Sequence, residues 1–386
     1  MPGIRRGPRN ADMMTPEYRQ FFMSSQAAER AGDAETALEY HRGIPMFVRS
    51  AHVARLTQLA GLSCEMTPWM WARWAAYQCT RAEDPGSQSM LIQRMALDYT
   101  LGMFYCDLLD ERLAAGDDPV PLVARVCGED WAFHQICTFE LGGLHEFTDS
   151  LSTGRLREEA GLCKQWVGAP MGGYRLEPSE PGSLVVRDLG RGQSVRLLDL
   201  GARVHADPDG WLIGRLVPTG TDPGLMFDTR PVPVDEQTAR AVAGDTTPAA
   251  WLGPLVTAIG EGRFDRSLLQ TEDRELVTDV PSLSLVEVGT PPAALASTLE
   301  ALGRGRDEIG RAALRLLRSA GDGTLDAERA PYVGAAVLNA HAYAEVGDRV
   351  LAPGQAAAWA HWADLVPEPA RSRIRRLAQL TGPRAA

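Results

Sequence analysis

The stretch from Gly172 to Val234 constrains this chain most. Its apolar runs are short, and turn residues bound each of them. Leu184-Val185-Val186 runs into Gly190-Arg191-Gly192, and Val195 to Leu200 resumes beyond. That pair predicts a hairpin, with glycine supplying the positive φ of the connection. Asp207-Pro208-Asp209-Gly210 precedes Trp211 to Val217, and Asp222-Pro223-Gly224 precedes Leu225-Met226-Phe227. Tyr174-Arg175-Leu176 opens the set. Four or five strands with short connections suit a small antiparallel barrel. Pro231 and Pro233 lack ladder donors, so the last strand belongs at an edge. Gly214 inside a strand suggests a bulge or tight bend.

Both flanks read as helix. Residues 1–14 are rich in Gly, Pro and Arg and read as disordered. Thr15-Pro16-Glu17 starts the first helix, with Thr15 as cap and Pro16 in the first turn. Helices follow over Val48 to Leu62, from Thr67-Pro68 onward, over Met90 to Leu113 and over Pro121 to Cys127, and helix continues past Asp130-Trp131 to about Phe147 with a weak point at Gly142-Gly143. After the strands, Asp235-Glu236-Gln237 starts a short helix, and Trp251 to Ile259 is another with Pro254 in its first turn. Residues 260–290 fit strand or helix, including Leu276-Val277 and Leu283 to Val288. Pro291-Pro292 opens a helix through Leu302, Asp307 to Ser319 is the next, and helices continue from Tyr332 to Leu380. The division is therefore a tail (1–14), a helical region (15–171), a β-unit (172–234) and a mainly helical region (235–386) of an α+β fold.

Two local resemblances refine this. Ala31-Gly32-Asp33-Ala34-Glu35-Thr36-Ala37-Leu38-Glu39-Tyr40-His41 resembles the middle of one tetratricopeptide repeat. There a glycine ends the first helix and a small residue such as Ala37 packs the second. The resemblance spans about one repeat, residues 17–50, and implies helical-hairpin packing and peptide binding. The β-unit is similar to OB or SH3-like barrels in strand number.

Composition narrows the function classes. The formal net charge is −11 and is spread along the chain, which disfavours a large nucleic-acid footprint. Of 39 basic residues only Lys164 is lysine, which points to a GC-rich, actinobacterial genome. No segment is long and apolar enough to span a bilayer, and the first residues lack the apolar core of a signal peptide. Six cysteines (Cys64, Cys79, Cys106, Cys127, Cys137, Cys163) match neither a metal clip nor a disulfide scaffold. A cytoplasmic protein with reduced thiols is expected.

Catalytic signatures are missing: the sequence holds no GxGxxG after a strand, GxxxxGK[ST], HExxH or GxSxG. Gly303-Arg304-Gly305-Arg306 lacks the Lys-Ser/Thr of a phosphate loop and reads as a hinge. No cofactor is implied. His134, Cys137 and His145 form the best metal-ligating set, because eleven residues are about three helical turns and bring them near one face. Their neighbours Trp131, Phe133, Ile136 and Phe139 favour an apolar core there. Trp71 and Trp74 share a helix face, with Trp69 pointing elsewhere; Trp359 and Trp362 repeat the spacing with His361 between. Both groups fit core packing, or else aromatic anchors for a peptide or partner helix. Arg311, Arg315 and Arg318 form one basic stripe; Arg371, Arg373, Arg375 and Arg376 form another. With the barrel these would serve a nucleic-acid reading, against solvated faces paired with acids.

The leading expectation is a protein- or peptide-binding adaptor rather than an enzyme. A nucleic-acid-associated protein and a metal-dependent enzyme at His134 and His145 stand as alternatives. The β-unit reads as a structural hub without catalytic residues, in which Trp211 is buried and His205, beside a turn, is dispensable.

Overall fold

A computed structural model of the protein describes residues 14–48, 50–81, 87–205, 207, 209–270, 276–280 and 306–382. The expected tail before Met14, the segment Leu283 to Val288, the helix Pro291 to Leu302 and the glycine-arginine hinge at 303–305 lie outside these residues.

Capping chemistry sets the first helices. The Thr15 hydroxyl accepts from Tyr18 N at 3.2 Å and starts α1 (Pro16–Ala31), which ends at Gly32 with φ 77°. Asp33 accepts from Thr36 N at 3.0 Å and starts α2 (Ala34–Arg42). Ser50 caps α3 (Ala51–Leu62), and Pro68 opens α4 (Pro68–Cys79), buried at every position from Trp69 to Cys79.

The expected helix from Met90 to Leu113 is two helices, α5 (Gln88–Phe104) and α6 (Cys106–Ala115). They part at Tyr105, with φ −136° and ψ 8°. The buried Tyr105 hydroxyl donates to the Asp130 carboxylate, a tertiary bond that the local pattern does not register. Next come α7 (Val120–Glu129) and α8 (Trp131–Gln135). The helix expected to run to about Phe147 gives way at its expected weak point, Gly142-Gly143, and also before it. Ile136–Glu140 widens to π geometry, Gly142 takes φ 76°, and only the short α9 (Gly143–Glu146) follows. Another π turn, Phe147–Leu151, leads to α10 (Gly154–Glu159).

Six antiparallel strands form the centre: β1 (Met171–Glu177), β2 (Leu184–Asp188), β3 (Gln193–Leu197), β4 (Trp211–Pro218), β5 (Leu225–Phe227) and β6 (Val232–Val234). Their order is β3-β2-β1-β4-β5, and β6 also pairs with β4. Leu198 N donates to Leu225 O at 2.8 Å, so the sheet curls until its two ends meet. Gly192, at φ 68°, closes the β2–β3 hairpin. β6, with Pro233, pairs on one side only, as its missing donor requires. Gly214 makes no bulge: it stays in register with Gly172, and a Cβ there would stand 2.8 Å from the Phe227 ring.

Helices cover the outer face of the sheet at β1 and β4, while Arg187, Ser194 and Arg196 on the outer face of β2 and β3 are exposed. After β6 come α11 (Glu236–Gly244), capped by Asp235, and α12 (Leu252–Gly260). The last region is α13 (Arg306–Gly321), α14 (Ala330–Leu338), α15 (Ala340–Arg349), α16 (Ala356–Leu365) and α17 (Ala370–Thr381).

Tyr174, Leu176, Leu184, Val186, Leu197, Leu212 and Phe227 fill the sheet interior. Its outward residues feed two larger cores. Leu198, Leu200, Val217 and Met226 join α4 to the last helices. Met171, Ile213 and Val232 join α5, α7, α8 and α12. Trp211 departs from the expectation of burial: it is half-buried, between the guanidiniums of Arg175 and Arg240 at 5.5 and 5.2 Å.

Candidate functional site

The chain makes a cleft at the elbow of its first helical hairpin. The elbow is tight because Gly32 adopts a left-handed φ and Asp33 N donates back to Ala28 O at 2.9 Å. The start of α10 locks onto it, where Thr153 N donates to Arg30 O at 2.9 Å. A Cβ on Gly32 would stand 2.6 Å from Leu156 N, so only glycine permits this approach. The contact sets Arg155 beside the elbow. The adjoining cavity measures about 290 Å³; Asp33, Glu35, Leu59, Met66, Trp71, Trp74 and Arg155 are among its lining residues.

Trp71 and Trp74 stack with centroids 5.5 Å apart, and the Arg155 guanidinium lies 4.7 Å from the Trp71 ring centre. Arg155 is held loosely, 3.8 Å from Glu159 across an exposed pair. Asp33 and Glu35 are exposed carboxylates at the rim. The Asp33 carboxylate is already occupied as the cap of α2. Trp74 Nε1 is buried and, among the described residues, has no hydrogen-bond partner. An aromatic wall that carries a guanidinium, with acids at its edge, is suited to holding a flat or cationic group.

Buried polar networks lie elsewhere. In one, Arg215 of β4 donates through Nε to Gln135 Oε1 at 2.7 Å and pairs with Glu140. Glu140 also accepts from Ala249 N and Trp251 Nε1, each at 2.7 Å. Gln135 donates to Asp228 Oδ2 at 2.8 Å. Burial pushes the Asp228 carboxyl up to about 6, against the pull of Gln135, Arg215 and Arg73. Arg73 of α4 pairs with Asp279 at 3.2 Å and donates to Phe227 O at 2.9 Å. These bonds tie α4, α8 and the residues before α12 to the sheet.

A second network joins the first helices. The His52 ring meets Glu29 at 2.8 Å through Nε2 and the Tyr77 hydroxyl at 3.2 Å through Nδ1. Gln78 also donates to Glu29. Burial would raise the Glu29 carboxyl, but His52, Arg81 and Gln78 outweigh it and hold it at about 2. His41 stacks edge-on against His52 with centroids 4.9 Å apart, and burial and the His52 charge lower it to about 4. Glu29, His41, His52, Arg73, Arg215 and Asp228 are all at most 6% exposed. Closed away from solvent, these groups act as internal joints.

The remaining sequence-derived sites scatter. Trp69, Trp71, Trp74, Trp359 and Trp362 are all at most 2% exposed, and of the five only Trp71 and Trp74 border the cleft. Trp362 Nε1 donates to Ala320 O at 3.1 Å, and Trp359 Nε1 to Gln355 Oε1 at 3.4 Å, inside the last helices. His134, Cys137 and His145 do not share a helix face, because the π turn and Gly142 change the phase between them. His134 meets Thr138 at 3.2 Å in the core, while exposed His145 pairs with Asp149 at 3.3 Å. Among the described residues no group of three or more His, Cys, Asp or Glu forms a metal-binding set.

The arginine stripes divide in the same way. Arg311, Arg315, Arg318 and Arg375 are exposed. Arg371 donates to Val366 O at 3.0 Å, and Arg376 reaches Glu65 at 3.6 Å. Arg373 is 3% exposed, pairs with Glu65 at 2.5 Å and donates to Gly61 O at 2.7 Å, pinning α17 to the end of α3. His205, expected to be dispensable, bonds through its ring to the Asp279 carbonyl and faces Arg230 at 3.3 Å. Burial and the Arg230 charge lower its pKa to about 3.

The sequence marks Trp71 and Trp74 as an aromatic pair and places Asp33 and Glu35 only within the repeat-like stretch, while nothing in it singles out Arg155. Only the Gly32-Asp33 elbow gave a local signal, and the α10 contact that brings Arg155 to it is made across the fold. No protein-family model, curated protein or solved structure matches the chain.

Proposed function

We propose that this protein binds a peptide segment of a partner protein at the elbow cleft, and that a basic side chain of the segment is the group recognised. The observation that carries this reading is the Arg155 guanidinium over Trp71 at 4.7 Å, with Asp33 and Glu35 at the rim. It indicates that the indole face accepts a planar cation and that the surroundings favour positive charge. The cavity, about 290 Å³, suits one long side chain rather than a large cofactor. In this reading Arg155 covers the indole in the free protein and swings aside when the guest arrives. A binding role also agrees with the closed state of the acid–base networks, which leaves a reacting group no route to them.

Calorimetric titration with an acetyl-arginine-amide peptide tests this. Wild type is expected to bind weakly, and Arg155→Ala several-fold tighter because the competing guanidinium is gone. A neutral citrulline peptide should bind neither. Equal heats for the arginine and citrulline peptides, or loss of binding in Arg155→Ala, would overturn the reading.

A further inference from the structure

The outer face of α5 carries a second feature, and it shares no residue with the cleft. Among the described residues eleven large hydrophobic side chains are exposed, and six fall between residues 90 and 120: Met90, Leu91, Met95, Tyr99, Leu113 and Val120. That concentration marks one region rather than scattered surface residues. Leu91, Met95 and Tyr99 are 58%, 41% and 53% exposed, and their spacing of four makes one ridge along the helix. The adjoining face is anchored, with Ile92, Ala96, Thr100 and Phe104 buried. The ridge is therefore held rigidly. Gly102 lies on the same side with no atom within 4 Å of where a Cβ would stand, so a partner backbone can come close.

The flanking charges identify the occupant. Arg94 and Asp98 lie on one flank of the ridge, both exposed, and among the described residues neither is in an ion pair. A two-fold axis through the ridge runs two α5 helices antiparallel and sets each flank against the same flank of its mate. An axis near Met95 and Ala96 brings Arg94 to the partner's Asp98, and Asp98 to the partner's Arg94. It also places Leu91 toward the partner's Tyr99, with the two Met95 side chains near the axis. The ridge thus meets apolar side chains with apolar ones and complements itself in charge.

We propose that α5 is the contact through which two copies of this chain form a symmetric antiparallel dimer. A helix of 17 residues is about 26 Å long, so the interface is at the small end for specific association, with dissociation in the micromolar range.

Sedimentation or light scattering of the full chain at about 100 μM reads this directly. Wild type is expected as a dimer. Met95→Glu is expected as a monomer with unchanged thermal unfolding of the chain, since the site is exposed. Arg94→Asp alone and Asp98→Arg alone should each weaken the dimer about tenfold or more by setting like charges together. The double variant R94D/D98R should restore it. A monomeric wild type, a dimer indifferent to Met95→Glu, or single charge reversals without effect would each overturn the proposal.

Discussion

Trp71 and Trp74 of α4 and Trp359 and Trp362 of α16 are the same residue type at the same spacing, and both pairs are buried. Their surroundings differ. The α16 pair is enclosed by the last helices, with indole donors satisfied by Ala320 O and Gln355. A Cβ on Gly321 would stand 2.9 Å from the Trp359 ring, so that end is packed without slack. The α4 pair borders a cavity, one ring carries a guanidinium from a distant helix, and Trp74 Nε1 has no hydrogen-bond partner among the described residues. Residue type and spacing therefore mark an aromatic pair, while the elements packed around it decide whether it seals a core or walls a site.

The largest expected effect separates the two pairs by stability. Trp362→Ala should cost about 3–5 kcal/mol in chemical unfolding, with peptide affinity unchanged in whatever fraction stays folded. A loss under about 1 kcal/mol would mean that the α16 pair is not a seal. Arg215→Met belongs to the same range, since it leaves Glu140 buried with its charge uncompensated, and should cost about 3–5 kcal/mol. A neutral result would mean that the sheet and helices are not joined there.

A pH series sharpens the view of the internal networks as joints. Burial raises Asp228 from 3.8 to about 6, so the folded form holds its proton more tightly than the unfolded chain does. Its contribution is most favourable below its ordinary value and is lost as pH rises through about 6. Relative to Asp228→Asn, wild type should lose about 3 kcal/mol between those limits, read from urea unfolding at stepped pH. His41 works in the opposite sense, because its lowered pKa removes stability as pH falls from 6.5 toward about 4. The difference between variant and wild type isolates Asp228. A flat difference would remove it from the buried network.

The smallest effect on stability is expected at the cleft rim. Arg155 is exposed, so Arg155→Ala should change unfolding by no more than about 0.5 kcal/mol while altering peptide affinity several-fold. If stability and affinity fell together, Arg155 would be a packing residue.

Much of the frame was legible because its signals are local. Thr15-Pro16 and Asp235 start helices whose caps span three residues, and Asp188 to Gln193 turns a hairpin with Gly192 at positive φ. What escaped depends on distant partners. Nothing near Tyr105 breaks the apolar pattern; its hydroxyl bonds to Asp130, 25 residues on. Gly214 looked like a bulge because the Phe227 ring against it is invisible in sequence. The same holds for the site. The aromatic pair was readable, but Arg155 comes from another helix, and the Arg215–Glu140 joint spans 75 residues.

The most direct measurement is the set of indole N–H resonances in a two-dimensional nitrogen–proton spectrum, assigned by single Trp→Phe variants and followed as the arginine peptide is added. The Trp71 and Trp74 signals are expected to move in step with the calorimetric curve, while those of Trp359 and Trp362 stay in place. Shifts confined to Trp359 and Trp362, or a spectrum unmoved while heat is released, would contradict binding at the elbow cleft.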